Sequence, residues 1–404
     1  MLTATRVKLS TMMFLEYFVW GSWFVTLGTY LGTTLHFDGP QIGGIYTTVS
    51  IAAIVSPFFV GLIADRFFAT QKVLGTLHLI GGIMLYVVSQ QTSFVSFYAT
   101  LLAYTLCYMP TLALTNAVAF RQMSDPGKEF GLIRVLGTTG WIVVGLLIGF
   151  LKIESSALTF QIAAAASILL GIYSFFLPHT PPQATGPVSI RDILGLDALA
   201  LLKDRSFATM FIASMLICIP LAFYYSFANP FLNEVGLENA AGKMTMGQMS
   251  ELGFMLLLPF FLTRLGVKRI VLLAMVCWSL RYVLFAFGNN GSMAWMLYLG
   301  IILHGICYDF FFVTGQIFVD RKAPAHLRSS AQGMITLATY GIGMLIGSWV
   351  AGSVVGQYTN ATTLLHDWKS IWLVPAIAAL VILLLFALLF KEKAQTQPVA
   401  NGQG

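Results

Sequence analysis

Gln248 and Glu251 stand three residues apart in MGQMSELGFMLLLPFF (246–261), so on a helix their side chains share a face. The run around them is apolar, and a carboxylate at the centre of a bilayer costs roughly 2.5–3.5 kcal/mol or more. Glu251 has two readings. Either it is neutralised or paired and pins helices together, or it lines a pathway for a solute or ion, the commoner fate of ionisable groups inside spans. An amide beside a carboxylate gives a polar solute both donors and acceptors.

Other intramembrane polar residues carry similar alternatives. In IRVLGTTGW (133–141), Arg134, Thr138 and Trp141 fall at i, i+4 and i+7, one helical stripe. Arg134 keeps its proton and needs an anion, a carbonyl or water at a helix end. In HGICYDFFF (304–312), His304 and Tyr308 are one turn apart, with Asp309 about 100° further round. Asp309 is either a proton carrier or the partner of Arg281 in WSLRYVLF (278–285). Glu16 in FLEYFVWGSW (14–23) is either a second protonatable site or a carboxyl among polar helix neighbours, and His78 reads as packing. The four cysteines lie in apolar runs and read as small hydrophobes, with neither disulfide nor metal expected. The spans contain no H-E-x-x-H, no G-x-S-x-G and no clustered metal ligands, so an enzyme is not expected and no cofactor is called for.

The elements that must position these residues follow from hydropathy. Of 404 residues, 57% are hydrophobic and 9% charged, with mean hydropathy +0.82; soluble domains carry about 25% charged residues. Apolar runs of about 20 residues define an all-α polytopic membrane protein. No small-residue cleavage site follows the first run, which is expected to remain as a helix. Twelve spans are read at 8–35, 41–63, 72–90, 93–120, 130–152, 156–177, 205–232, 243–263, 268–288, 292–319, 327–356 and 369–390. An even count puts both termini on one side. Seventeen of the 22 Lys and Arg lie on that side and three (Lys152, Lys243 and Lys369) on the other. Both termini are therefore expected in the cytoplasm. The net charge of +6 is topology rather than a nucleic-acid patch.

The longest polar break, 177–204, is a Pro- and Gly-rich linker followed from Ser189 by a pattern suited to a surface helix. It divides the chain into an N-terminal six-helix bundle (1–177), a cytoplasmic linker (178–204), a C-terminal six-helix bundle (205–390) and a tail (391–404). Basic turns recur at the same ordinal places in both halves: GLIADRFFATQK with PFFLTRLGVKR, and RQMSDPGKE with DRKAPAHLR. Such repetition suggests two homologous bundles.

GLIADRFFATQK (61–72) resembles the G-x-x-x-D-R signature of the major facilitator superfamily, with Phe68 where a glycine is usual. The resemblance implies a latch in which Asp65 and Arg66 engage neighbouring helix ends. WGSWFVTLGTYL (20–31), FDGPQIGGIY (37–46), YMPTLALTN (108–116), IRVLGTTGW, ILGLDALALLKD (193–204), YDFFFVTGQIFVD (308–320) and RSSAQGM (328–334) resemble the nucleoside:proton symporter family. That resemblance implies proton-driven import of nucleosides across the bacterial inner membrane by a protein working as a monomer in the bilayer. It makes Gln248, Glu251, Arg134, Thr138, Trp141, His304 and Tyr308 substrate contacts. It also makes Asp309 a candidate for proton coupling; Glu251 is a further candidate as an intramembrane carboxyl, as is Glu16, where the family has an amide, and Arg281, the partner in the other reading of Asp309, is read as structural or gating. Ribose hydroxyls suit Gln248 and Glu251; Trp141 offers a flat face to a base. In the seventh span the family has an amide pair where IPLAFYYSFANPF (219–231) has Ala222 and Tyr225, with Tyr224 and Asn229 as nearby substitutes. A sugar or oligosaccharide proton symporter of the same fold is the alternative.

Overall fold

A backbone surrounded by lipid must satisfy its own hydrogen bonds, and the apolar runs accordingly fold as helices in the computed structural model. The structure describes residues 3–59, 67–182 and 196–391. Twelve spans are counted among the described residues. The first, α1, is Thr3–Trp23 carried on by Leu27–Thr29 and Tyr30–Thr34, and it starts earlier than hydropathy suggested. It is followed by α2 (Gly39–Phe59), α3 (Thr70–Val88), α4 (Phe94–Arg121), α5 (Pro126–Leu151) and α6 (Leu158–Ser174). After a 3-10 turn at Leu196–Lys203 come α7 (Arg205–Glu234) and a continuous stretch, Ala240–Phe287, that holds both α8 and α9. Gly266 breaks it with φ 71° and ψ 170°, a backbone open essentially to glycine alone. The last three are α10 (Ala294–Lys322), α11 (Ser330–Gln357) and α12 (Trp368–Leu389). Asp65 and Arg66, the start of the expected surface helix and the tail beyond 391 lie outside the described residues.

Among the described residues three spans contain a π-helical turn: Tyr30–Thr34 in α1, Asp309–Val313 in α10 and Leu337–Gly343 in α11. Such turns often mark functional sites, and the second begins at one of the candidate residues.

Within the first six helices, α1 packs on α5 and α6, and α3 on α4 and α6; within the last six, α7 packs on α11 and α12, and α10 on α8. The two sets meet through α2 with α11, α5 with α8, and α1 with α7. On the side away from the termini the helices touch backbone to backbone. A Cβ at Gly43 of α2 would collide with the Ser348 carbonyl of α11, and one at Gly28 of α1 with the Ser226 carbonyl of α7. Small residues permit this approach, and close packing is the main force between helices in lipid.

The side of the termini is different. Gly131 shares the Arg134/Thr138 stripe of α5, and Gly333 lies seven residues before Tyr340 on α11; a Cβ at either would meet nothing within 4 Å. The end segments there, Thr314–Lys322 and Arg328–Thr336, pack on each other and on α7. Asp204 caps α7 by accepting from the Phe207 N–H at 3.0 Å and pairs with Lys322 at 3.0 Å. Burial raises the Asp204 carboxyl, but the Phe207 N–H and Lys322 outweigh it and hold the group below its ordinary value. The halves are thus shut on one side and parted on the other.

Candidate functional site

Arg281 of α9 is wholly buried and sets the chemistry of the second half. Its guanidinium lies 3.4 Å from the centre of the Tyr224 ring on α7, a cation–π contact. Its Nη1 is 3.1 Å from Nδ1 of His304 on α10. A guanidinium only donates, so His304 Nδ1 accepts and the ring's remaining hydrogen sits on Nε2. That nitrogen faces Glu251 Oε2 at 3.9 Å. Ser250, the neighbour of Glu251, ties α8 to α10 by donating to the Ile302 carbonyl at 2.7 Å and accepting from the Gly305 N–H at 3.0 Å. Glu251 retains 18% exposure and so reaches the space between the halves.

The expected pairing of Arg281 with Asp309 is not formed. Arg281 gives Nη1 to His304 and its face to Tyr224; among the described residues its Nε and Nη2, and both oxygens of the 0%-exposed Asp309, have no hydrogen-bond partner. The reason is angular: Asp309 points about 100° away from the His304–Tyr308 face that Arg281 serves.

In the first half, Arg134 lies 4.0 Å over the Tyr17 ring. Thr138 lies half-buried on the same stripe, and Trp141 meets Trp20 edge-on at 5.6 Å between ring centres. A pocket lies between the halves, its walls including Phe24, Trp141, Tyr224, Tyr225, Thr245 and Gln248. His304 adjoins it, stacked on Tyr224 at 5.2 Å, and Tyr308 follows at 5.8 Å from His304, its hydroxyl bonded to that of Tyr340. Trp141, Tyr225 and Gln248 therefore share one pocket, with Glu251, His304 and Tyr308 at its border.

Two seventh-span residues fall elsewhere. Ala222 is fully buried against Gly347 of α11 and does not face the pocket. Asn229 bonds Thr29 and Glu154 instead of a cavity. Tyr17, Trp20 and Phe24 were missed, although their i, i+3, i+7 spacing in YFVWGSWF is a helical stripe. Nothing in the sequence singles out Tyr340.

Glu16 does not stand near the pocket's polar group, and His78 is not mere packing. Glu16 Oε2 is 2.8 Å from His78 Nε2, and Oε1 accepts from Thr111 at 2.7 Å. Ser167 donates its one hydrogen to the His78 carbonyl at 2.9 Å, so at 3.1 Å its oxygen accepts from Nδ1–H. With that hydrogen fixed on Nδ1, the Glu16–His78 contact must itself contain a proton, or two lone pairs would oppose each other. A buried acid needs such a partner.

Two sets of six helices around an aromatic pocket define a multi-pass membrane transporter of the major facilitator fold. The crystal structure of the nucleoside transporter NupG shares it: TM-score 0.89 and 35% identity over 96% of this chain and 100% of that one. The description "Nucleoside H+ symporter" matches residues 3–395, and the chain belongs to that family. It is a transporter, not an enzyme. The putative nucleoside transporter YegT of Escherichia coli K12 is 46% identical, covering 96% of this chain and 94% of its own. The xanthosine permease of the same organism is 35% identical over 98% of each.

Proposed function

We propose that this protein imports nucleosides or nucleoside-like solutes together with protons by alternating access. The observation that carries the reading is the meeting of an aromatic-walled pocket with the Gln248–Glu251 face of α8. A base stacks on Trp141 or Tyr225, as aromatic rings accept any base face. The sugar's hydroxyls donate to Glu251 and accept from His304 Nε2–H or Gln248. Arg134 and Thr138 supply further donors on the facing wall. Arg281 acts as a fixed cation that holds His304 in the donating tautomer. The names of the relatives, nucleoside transporter and xanthosine permease, support the substrate class.

Asp309 is the proposed proton carrier. An ionised carboxylate without a partner is costly in a dry site, whereas the neutral acid is not, so its loading is tied to the arrival of water or solute. Glu251 is the second candidate, because its partners change when the substrate enters. Glu16 is held by His78 and Thr111 and serves the fold of the first half. The halves 1–177 and 205–390 rock as bundles about the pocket, with 178–204 as linker and 391–404 as tail. The protein works as a monomer in the bacterial inner membrane with both termini cytoplasmic, as its loop charges indicate.

Uptake of a labelled nucleoside panel into proteoliposomes, with and without an imposed proton gradient, tests the reading. Gradient-driven nucleoside accumulation is the expected result; transport of sugars alone would overturn it.

A further inference from the structure

Glu154 lies in the short connection between α5 and α6, on the side away from the termini, and is buried although it belongs to a loop. Its carboxylate reaches out of the first half into the second. Oε2 accepts from Asn229 Nδ2 at 2.8 Å and Asn233 Nδ2 at 2.9 Å, both on α7. Oε1 accepts from the Ala241 N–H at 3.0 Å, in the first turn of α8, where the helix dipole favours an anion. Thr29 of α1 then donates to Asn229 Oδ1 at 2.5 Å, so α1 of the first half is bound into the same group. Among the described residues no cation comes within ion-pair distance of Glu154. Every donor that reaches it belongs to the opposite half.

This side is the one closed by the Gly28 and Gly43 contacts. Backbone contact through glycine is apolar and unselective. The Glu154 group is its directional counterpart, three hydrogen bonds to one charge, of the kind that is stronger than a neutral bond. For the pocket to open on this side, α7 and α8 must leave α1 and α5, and all of these bonds must break together.

We propose that Glu154 is the latch of the transport cycle on the side opposite the termini, a positioning residue that sets how often the pocket opens there. Asn229 and Asn233 are its strike plate. The proposal rests on the alternating-access reading but not on the identity of the solute.

The test is a distance between spin labels at Leu158→Cys and Glu238→Cys, exposed positions flanking the latch on opposite halves. It is read by pulsed electron paramagnetic resonance on the full chain in nanodiscs, with the four native cysteines replaced by alanine. In the native latch a short distance should dominate. Glu154→Gln sets an NH2 group against donors and is expected to raise the ratio of long to short distances at least tenfold. Asn229→Asp alone, opposing two carboxylates, should do the same. Combining the two restores complementarity, because the introduced amide donates through its nitrogen to the introduced carboxylate while its oxygen still accepts from the Ala241 N–H, and Asn233 keeps the residue-229 carbonyl and side-chain oxygen it already reaches as acceptors. The short distance should then return. Asn233→Ala, at a half-buried position, is the milder variant should Asn229→Asp fail to fold. A distribution unmoved by Glu154→Gln and Asn233→Ala alike overturns the proposal, as does lengthening that the double exchange leaves in place. No solute is needed, so a chain that proved to carry something other than nucleosides would leave the latch standing.

Discussion

Asp309→Asn separates coupling from binding, and the structure fixes what each should cost. Had Asp309 been paired with Arg281, removing it would strand a buried cation, a loss of about 3–5 kcal/mol. Arg281 rests instead on His304 at 3.1 Å and over Tyr224 at 3.4 Å, so the amide deprives nothing of a partner. Destabilisation should stay below about 1.5 kcal/mol, the scale of one hydrogen bond, when thermal unfolding of variant and native protein is compared in detergent. The effect on transport is much larger. One proton moving inward through 100 mV releases about 2.3 kcal/mol, and at about 1.4 kcal/mol per decade this sustains roughly 50-fold accumulation. With Asn at 309 that ratio should fall to about 1, while counterflow exchange of labelled against unlabelled nucleoside, which needs no net proton movement, persists. Two results refute the reasoning. One is native accumulation by Asp309→Asn. The other is a loss of 3–5 kcal/mol in stability that Arg281→Gln then restores, which would reinstate the fixed pair.

Glu251→Gln is expected to abolish concentrative uptake at normal membrane expression, because an amide cannot take every hydroxyl donor that a carboxylate takes; near-normal uptake removes Glu251 from the site. Glu16→Gln should leave coupling intact, its amide donating to His78 Nε2 and accepting from Thr111. Glu16→Leu strands those groups and should cost about 1–3 kcal/mol per unpartnered group in thermal unfolding. With Ala222 turned away and one phenol near the base, competition by a nucleoside panel should show weak base selectivity; sharp preference for one base, lost in Tyr225→Phe, contradicts this. Asp204→Asn should lower stability at neutral pH by up to about 1 kcal/mol, the scale of a partly exposed pair. Because the folded carboxyl is held below its unfolded value, that difference is present above the ordinary carboxylate range and should vanish as pH falls through the folded value. A difference that persists in acid would assign it to packing.

Hydropathy made the spans legible, since lipid leaves helices few alternatives. It also separated α8 from α9, and the structure puts the break between them at Gly266. Periodicity correctly put Gln248 with Glu251 and His304 with Tyr308. It says which residues share a face, however, and not which neighbouring helix that face meets. A pair of Arg281 with Asp309 accordingly stood as one of two open readings, although the partner of Arg281 is His304, five residues before Asp309. His78 failed for the same reason, since its partners come from three other spans. Glu154 carried no signal at all, because an acid in a short loop ordinarily faces water.

Burial alone does not distinguish a carboxyl that moves protons from one that holds helices. Glu16, Glu154 and Asp309 are all buried. Glu16 has a full set of partners inside its own half, so the cycle offers it no reason to change state. Glu154 has a full set in the opposite half, so the cycle must break it, and its work is mechanical. Asp309 has none in this conformation and Glu251 only a histidine 3.9 Å away; their environment is completed by whatever enters the pocket. A proton that must be taken up with a solute and released after it needs a site whose surroundings the solute itself alters. Of these four carboxyls only the last two meet that condition: Glu251 lies on the Gln248 face of α8, and Asp309 stands one residue beyond the His304–Tyr308 face.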